Sequence, residues 1–349
     1  MNIKTTYKNI RFILENARNN AYRAVNFEMV KAYWQIGKII VEEEQKGKRR
    51  AEYGKNLIKE LSQKLTKEYG KGFTKSNLFY MRKFYLAFPK FHAVSGKLKQ
   101  DILFPKQDAL RPELSWTHYR ILLRLDNNTR NFYMIESIEN KWSTRELERQ
   151  INSLLYERLA LSKNKEKVKE LSKKGQVIKN PQDLVKDPYV LEFLDIKENR
   201  EYLEKDLEKL LLDNIKEFLL ELGKGFSFVS RQKRITLDRD HFYIDLVFYN
   251  YILKCFVLID LKMGKLSHKD IGQMDFYTRY FEKEERKKTD NPTIGIILCS
   301  DKNETMVKYT MLEDKKGIFA SKYKLYLPSE EEIKKEIIEE KEKIKNMGK

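Results

Sequence analysis

Through residue 161 the apolar side chains recur at intervals of three and four, as in Leu57, Ile58, Leu61 and Leu65, and beyond residue 189 that spacing gives way to β-rich runs. The first period belongs to helices that bury one face. The later runs, Phe226–Leu237, Phe242–Tyr249, Lys254–Leu261 and Thr293–Cys299, cluster β-branched and aromatic residues between turn formers and read as strands. A chain of 349 residues is long enough for two cores. The pattern therefore predicts an α+β protein of two domains: a helical, helix-turn-helix-like N-terminal domain over 1–165 and a C-terminal α/β sandwich over 189–328. Lysine-rich residues 166–188, with Gly175, Pro181 and Pro188, form the expected basic linker, and residues 329–349 a charged helical tail. One long helix is expected over about Glu201–Leu222, ended by Gly223-Lys224-Gly225, with further helices over Lys269–Glu285 and near Lys302–Leu312.

Lys and Arg total 70 against 52 Asp and Glu, a net charge of +18 that favours a polyanionic partner such as nucleic acid. An acidic membrane surface is the rival reading of that charge. No apolar run reaches membrane length, and the opening residues lack the apolar core of a secretion signal. Only Cys255 and Cys299 are present, too few for a disulfide framework or a cysteine-held zinc. A cytoplasmic protein without membrane partners is the expectation.

Two carboxylates interrupt otherwise apolar strands: Asp245 in Tyr243-Ile244-Asp245-Leu246 and Asp260 in Ile259-Asp260-Leu261-Lys262. If the strands are antiparallel neighbours, a four-residue loop between Asn250 and Cys255 places Asp245 opposite Asp260, and a two-residue loop makes them diagonal neighbours on the same face. Alternation along the strand adds Lys262 to that face and turns Leu261 into the core. Two acids and an ammonium then converge, a donor set that holds Mg²⁺ or Mn²⁺ through oxygen and leaves room for water and phosphate oxygens. An Asp–Lys ion pair at a sheet end is the plainer alternative. Arg231, Gln232, Lys233 and Arg234 form a cationic stretch suited to phosphate contact, or else a solvated strand edge.

In the helical part, Gly54–Tyr69 and Lys75–Phe88 flank a glycine-containing turn, and the second of these helices carries Lys75 and Arg82. Ser143-Thr144-Arg145-Glu146 has capping-box spacing and starts a helix bearing Arg145 and Arg149. Each is a candidate DNA-binding helix, or simply part of a helical bundle.

Several segments resemble the YhcG-like nucleases of the PD-(D/E)xK superfamily: Phe218-Leu219-Leu220-Glu221-Leu222-Gly223-Lys224-Gly225-Phe226, Arg231-Gln232, Tyr243-Ile244-Asp245-Leu246, Asp260-Leu261-Lys262 and Gly272-Gln273-Met274-Asp275-Phe276-Tyr277. Leu114–Arg120 and Trp142–Leu147 resemble that family's helical N-terminal domain, so the likeness covers essentially the whole chain. It implies a restriction-endonuclease-like fold and metal-dependent hydrolysis of DNA. Asp245 and Asp260 become the superfamily's acids and metal ligands, and Lys262 its lysine. The family usually carries Glu where this chain has Asp260, whose carboxylate reaches one methylene less. The resemblance also implies a third acid on the helix before the first strand. Glu221 is the match, with Glu208 and Glu217 on the same predicted helix. Gln273 and Tyr277, four apart on one helical face, resemble a variant in which Gln orients a phosphate or metal water and Tyr touches the strand being cut. An amphipathic helix with Tyr277 in the core is the alternative. By analogy with such nucleases a homodimer is expected. The rival function is a catalytically inactive, DNA-binding scaffold subunit of a defence or mobile-element complex, with other subunits as partners.

Overall fold

The computed structural model describes residues 3–46, 51–89, 111–161, 165–196, 203–301, 317–329, 331, 332 and 335. By packing, the chain divides into two compact units. One holds residues 1–148 with 172–175, and the other holds 149–171 with 176–349. Residues 149–171 thus pack with the C-terminal unit, although in sequence they continue the helical region. The expected helix near Lys302–Leu312 and most of the tail beyond Ser329 lie outside the described residues.

Among the described residues the regular elements of the first unit are helices: α1 (Ile3–Lys46), α2 (Ala51–Tyr69), α3 (Lys75–Ala87), α4 (Trp116–Leu122), α5 (Asn127–Glu139) and the start of α6 (Thr144–Asn152). Its core gathers Ile40, Leu78 and Met81, with Tyr33, Ile36, Ile58, Leu61 and Trp116 packed around them. Helices α1 and α3 approach closely at Gly37, where a Cβ would collide with the Met81 carbonyl oxygen. A single 3₁₀ turn, Lys71–Phe73, joins α2 to α3, and the Thr74 hydroxyl caps α3 by accepting from Asn77 N at 3.3 Å. The capping box legible at Ser143 forms: Ser143 N donates to Glu146 Oε2 at 2.7 Å, and Glu146 N to Ser143 Oγ at 3.3 Å.

In the second unit α7 (Leu155–Leu161) and most of α8 (Lys165–Lys174) precede β1 (Tyr189–Val190), so part of the expected linker is helical. Next come α9 (Glu204–Asp213), α10 (Ile215–Leu222), β2 (Phe226–Leu237), β3 (Asp240–Asn250), β4 (Cys255–Lys265), α11 (His268–Tyr280), β5 (Ile294–Asp301) and β6 (Ile318–Lys324). The six strands form one mixed sheet in the order β1-β6-β5-β4-β3-β2, parallel from β1 through β4 and antiparallel across β3 and β2.

Strands β4 and β5 lie inside the sheet and are covered on both faces, hence their nearly continuous apolar runs. One face packs Leu246, Val257, Ile259 and Leu261 against Leu207, Leu211 and Phe218 of α9 and α10. The other packs Val247, Leu258 and Ile297 against Ile271, Met274 and Tyr277 of α11. The short β1 and the strand β6 fall outside the four runs predicted as strands. The single helix expected over about 201–222 is two, because the chain leaves helical geometry at Asn214 (φ −113°, ψ 36°). That break matters for the acids the two helices carry.

Candidate active site

The β3–β4 connection settles the register. Asn250 pairs with Cys255 and Leu246 with Ile259, so the loop is the four-residue one, and continuing the same register sets Asp245 against Asp260 where the strands diverge. There the Leu261 N–H donates to Asp245 Oδ2 at 2.8 Å. Leu261 lies in the core while Asp260 and Lys262 take the other face, and Lys262 Nζ sits 3.0 Å from Asp260 Oδ2.

Asp260 is only 2 % exposed, and its Oδ2 makes no well-angled hydrogen bond despite the nearby ammonium. Burial, and then the charge of Asp245, push its carboxyl up to about 7, against the weaker opposing pull of Lys262. Burial disfavours the Lys262 ammonium, but Asp260 and Glu204 outweigh it and the amine's pKa is raised.

Gln232 stands between the pairs Arg231↔Leu246 and Lys233↔Ile244, and so across from Asp245. Its amide donates to Asp245 Oδ1 at 3.1 Å and to Glu208 Oε2 on α9 at 2.6 Å. Gln232 also has φ 45°, a left-handed backbone that costs a non-glycine residue roughly 1 kcal/mol or more and is commonest at functional sites. Burial and Asp245 raise the Glu208 carboxyl although Gln232 opposes them. One turn earlier, Glu204 Oε2 lies 3.7 Å from Lys262 Nζ.

Glu221, the residue matched by sequence, is not at this place. It is fully buried, bonded to Arg158 (2.6 Å), Arg149 (3.3 Å) and the Val190 N–H (2.9 Å), and its own carbonyl accepts from Lys186 Nζ. Glu208 and Glu221 lie on separate helices, α9 and α10, either side of the break at Asn214. Burial alone would raise the Glu221 carboxyl. Arg158, Lys186 and Arg149 override it and hold the group down at about 2.

Arg149 is a second correction. Its guanidinium is held by Glu192 (2.8 Å), Glu221 and the Val190 carbonyl, and lies 5.1 Å from the Phe193 ring centre, so it belongs to this buried network rather than to a DNA-facing helix surface. A third is Tyr277, which is completely buried. Its hydroxyl accepts from Gln273 Nε2 (2.5 Å) and donates to the Tyr243 carbonyl (2.8 Å), two residues before Asp245, so it cannot touch a bound strand. The Gln273–Tyr277 pair therefore braces β3 from α11.

On β2, the sheet's edge strand, Arg231 and Arg234 are exposed, while Lys233 pairs with Glu285 at 3.0 Å. In the helical unit Lys75 and Arg145 are exposed, whereas Arg82 is half-buried and tied to Glu44 at 2.6 Å. Among the described residues, no group of three or more His, Cys, Asp or Glu forms a ready cage for a metal. The donor set still fits a hard, partly hydrated ion: paired carboxylates, one buried oxygen without a hydrogen bond, and a repulsion between acids that a cation would relieve.

The sheet, its flanking helices and the strand-borne Asp…Asp-x-Lys define the class of a PDDEXK nuclease domain, and the comparisons agree. Residues 182–338 match the YhcG PDDEXK nuclease domain, and residues 9–158 match the DUF1016 N-terminal domain. The chain is 37% identical over 343 residues to the Escherichia coli (strain K12) protein named "Putative nuclease YhcG", covering 93% of this chain and 91% of that one. The chain belongs to the YhcG family. Among solved structures, a repair endonuclease from Pyrococcus abyssi aligns at 19% identity with TM-score 0.26, and EndoMS in apo form at 17% with TM-score 0.26. Each alignment covers 38% of this chain. This chain spans about half the length of those two proteins. Among the described residues no helix is long and apolar enough to cross a membrane.

Proposed function

We propose that this chain is a divalent-cation-dependent DNA nuclease, with its chemistry at Asp245, Asp260 and Lys262 and a DNA-positioning role for the helical N-terminal unit. The observation that carries the reading is Asp260: a carboxyl pushed up by burial and then by a second acid, and faced by an ammonium at 3.0 Å. Asp245 and Asp260 would hold Mg²⁺ or Mn²⁺, with Glu208 in place of Glu221 as the third acid. Such an ion, when bound, polarises a phosphate and acidifies a coordinated water. Lys262 supplies a fixed positive charge where negative charge grows on the phosphate. Gln232 holds Asp245 and Glu208 in position, and Gln273 with Tyr277 fixes the strand segment that carries Asp245. Arg231 and Arg234 on the edge strand, and Lys75 and Arg145 in the helical unit, give exposed cations for backbone phosphates, consistent with the net charge of +18.

The test incubates the purified chain with linear, circular, branched and single-stranded DNA, each with Mg²⁺, Mn²⁺ or EDTA. Cleavage that requires the cation is expected. Salt-sensitive binding without cleavage under every metal condition would favour the scaffold role, and cleavage undiminished in EDTA would reject the cation chemistry.

A further inference from the structure

The first half of α1 is a long helix whose apolar face is left exposed among the described residues. Ile3, Tyr7, Ile10 and Leu14 are 81, 65, 52 and 54 % exposed, and burial begins only at Val30. Residues 3–25 span about 34 Å of helix. A segment of that length with aromatic residues and, within residues 3–25, four asparagines has little stability of its own in water. Its persistence calls for a surface that covers the face.

The spacing indicates which surface. Ile3, Tyr7, Ile10, Leu14, Ala17 and Ala21 follow one another at alternating steps of four and three, the seam of a two-stranded coiled coil. With Tyr7 and Leu14 at position a, the flanking e positions are Lys4, Arg11, Arg18 and Val25, and the g positions are Thr6, Ile13 and Asn20. A parallel, in-register pairing of two copies sets Thr6 against Arg11, Ile13 against Arg18 and Asn20 against Val25, with no like charges opposed. An antiparallel pairing brings Arg11 beside Arg18 of the other copy.

We infer that residues 3–25 of α1 form a parallel coiled coil with the same segment of a second copy of this chain. The interface is independent of the nuclease chemistry, so failure of either leaves the other standing.

Two variants of the full-length chain test it. Ile10→Glu with Leu14→Glu alters only exposed positions, so the fold of one chain is preserved. Light scattering coupled to size exclusion at micromolar concentration is expected to give twice the chain mass for the wild type and the single-chain mass for the double variant, with unchanged unfolding of the rest. Tyr7→Cys is expected to form a disulfide with itself under mild oxidation, the native Cys255 and Cys299 being buried. A monomeric wild type, or a dimer that survives both glutamates, overturns the inference. Tyr7→Cys linking to Ala21→Cys in mixed samples but not to itself overturns the parallel arrangement. A wild type whose mass reflects a different, acidic protein carried through purification overturns the self-pairing.

Discussion

Lys262→Ala and, separately, Asp245→Ala are each expected to lower DNA cleavage by about 10²–10³-fold or more while DNA binding stays within a few-fold of wild type. Lys262 is 17 % exposed at the side chain and faces a carboxylate, so its charge is fixed at the proposed reacting centre before substrate arrives. Removing it leaves Asp260 buried without its cation. That carboxyl already takes up a proton near pH 7, so protonation absorbs most of the loss and the fold survives. Asp245→Ala removes a proposed cation ligand and the acceptor for the Leu261 N–H, a larger structural change, which is why the lysine variant is the cleaner probe. Rates on a linear duplex, with binding measured in parallel by fluorescence anisotropy at one salt concentration, separate chemistry from affinity. Wild-type rates in both variants would remove these residues from the reaction.

The second large effect is on stability. Glu221→Ala is expected to destabilise the C-terminal unit by about 3–5 kcal/mol, because it strands the buried Arg158 and Lys186 without their anion. Against a total of about 5–15 kcal/mol this is a large share. The folded carboxyl at about 2 lies below its ordinary value, so its contribution is complete above the ordinary value and disappears as the pH falls through 2. Urea unfolding followed by circular dichroism should show the widest gap between wild type and variant at neutral pH, narrowing steadily below pH 4.5. A gap under about 1 kcal/mol at pH 7 contradicts the structural role. Activity per folded molecule should be nearly unchanged, which distinguishes Glu221 from Asp245.

That contrast shows what local sequence can and cannot reveal. The four principal strands are legible because strands covered on both faces need unbroken apolar runs, and an Asp inside such a run stands out. The Asn250–Cys255 loop length then carries the register. The break between α9 and α10 occurs without Gly or Pro, so a single helix is the natural reading, while Glu221 stands out by its match to the family motif rather than by its place on that helix. Glu204 and Glu208 are four apart, a spacing that puts both on the face beside Lys262 and Gln232, and that spacing is the available signal for preferring Glu208 among the acids of the predicted helix. Arg149 looks like a basic residue on an amphipathic helix, and its partner Glu221 is 72 positions away, beyond any local pattern. Tyr277 illustrates the same ambiguity: spacing puts it on the face above the sheet, and only packing reveals that its hydroxyl is spent on the Tyr243 carbonyl.

The most direct test is a Mn²⁺ titration of the wild-type chain and of Asp260→Ala, with free ion followed by electron paramagnetic resonance at pH 6 and pH 8. If Asp260 must lose a proton held near pH 7 before it can serve as a ligand, wild-type affinity should rise close to tenfold between those two conditions. Asp260→Ala should bind at least tenfold more weakly at pH 8 and lose most of that dependence. Equal Mn²⁺ binding by both proteins at pH 8 would contradict the account.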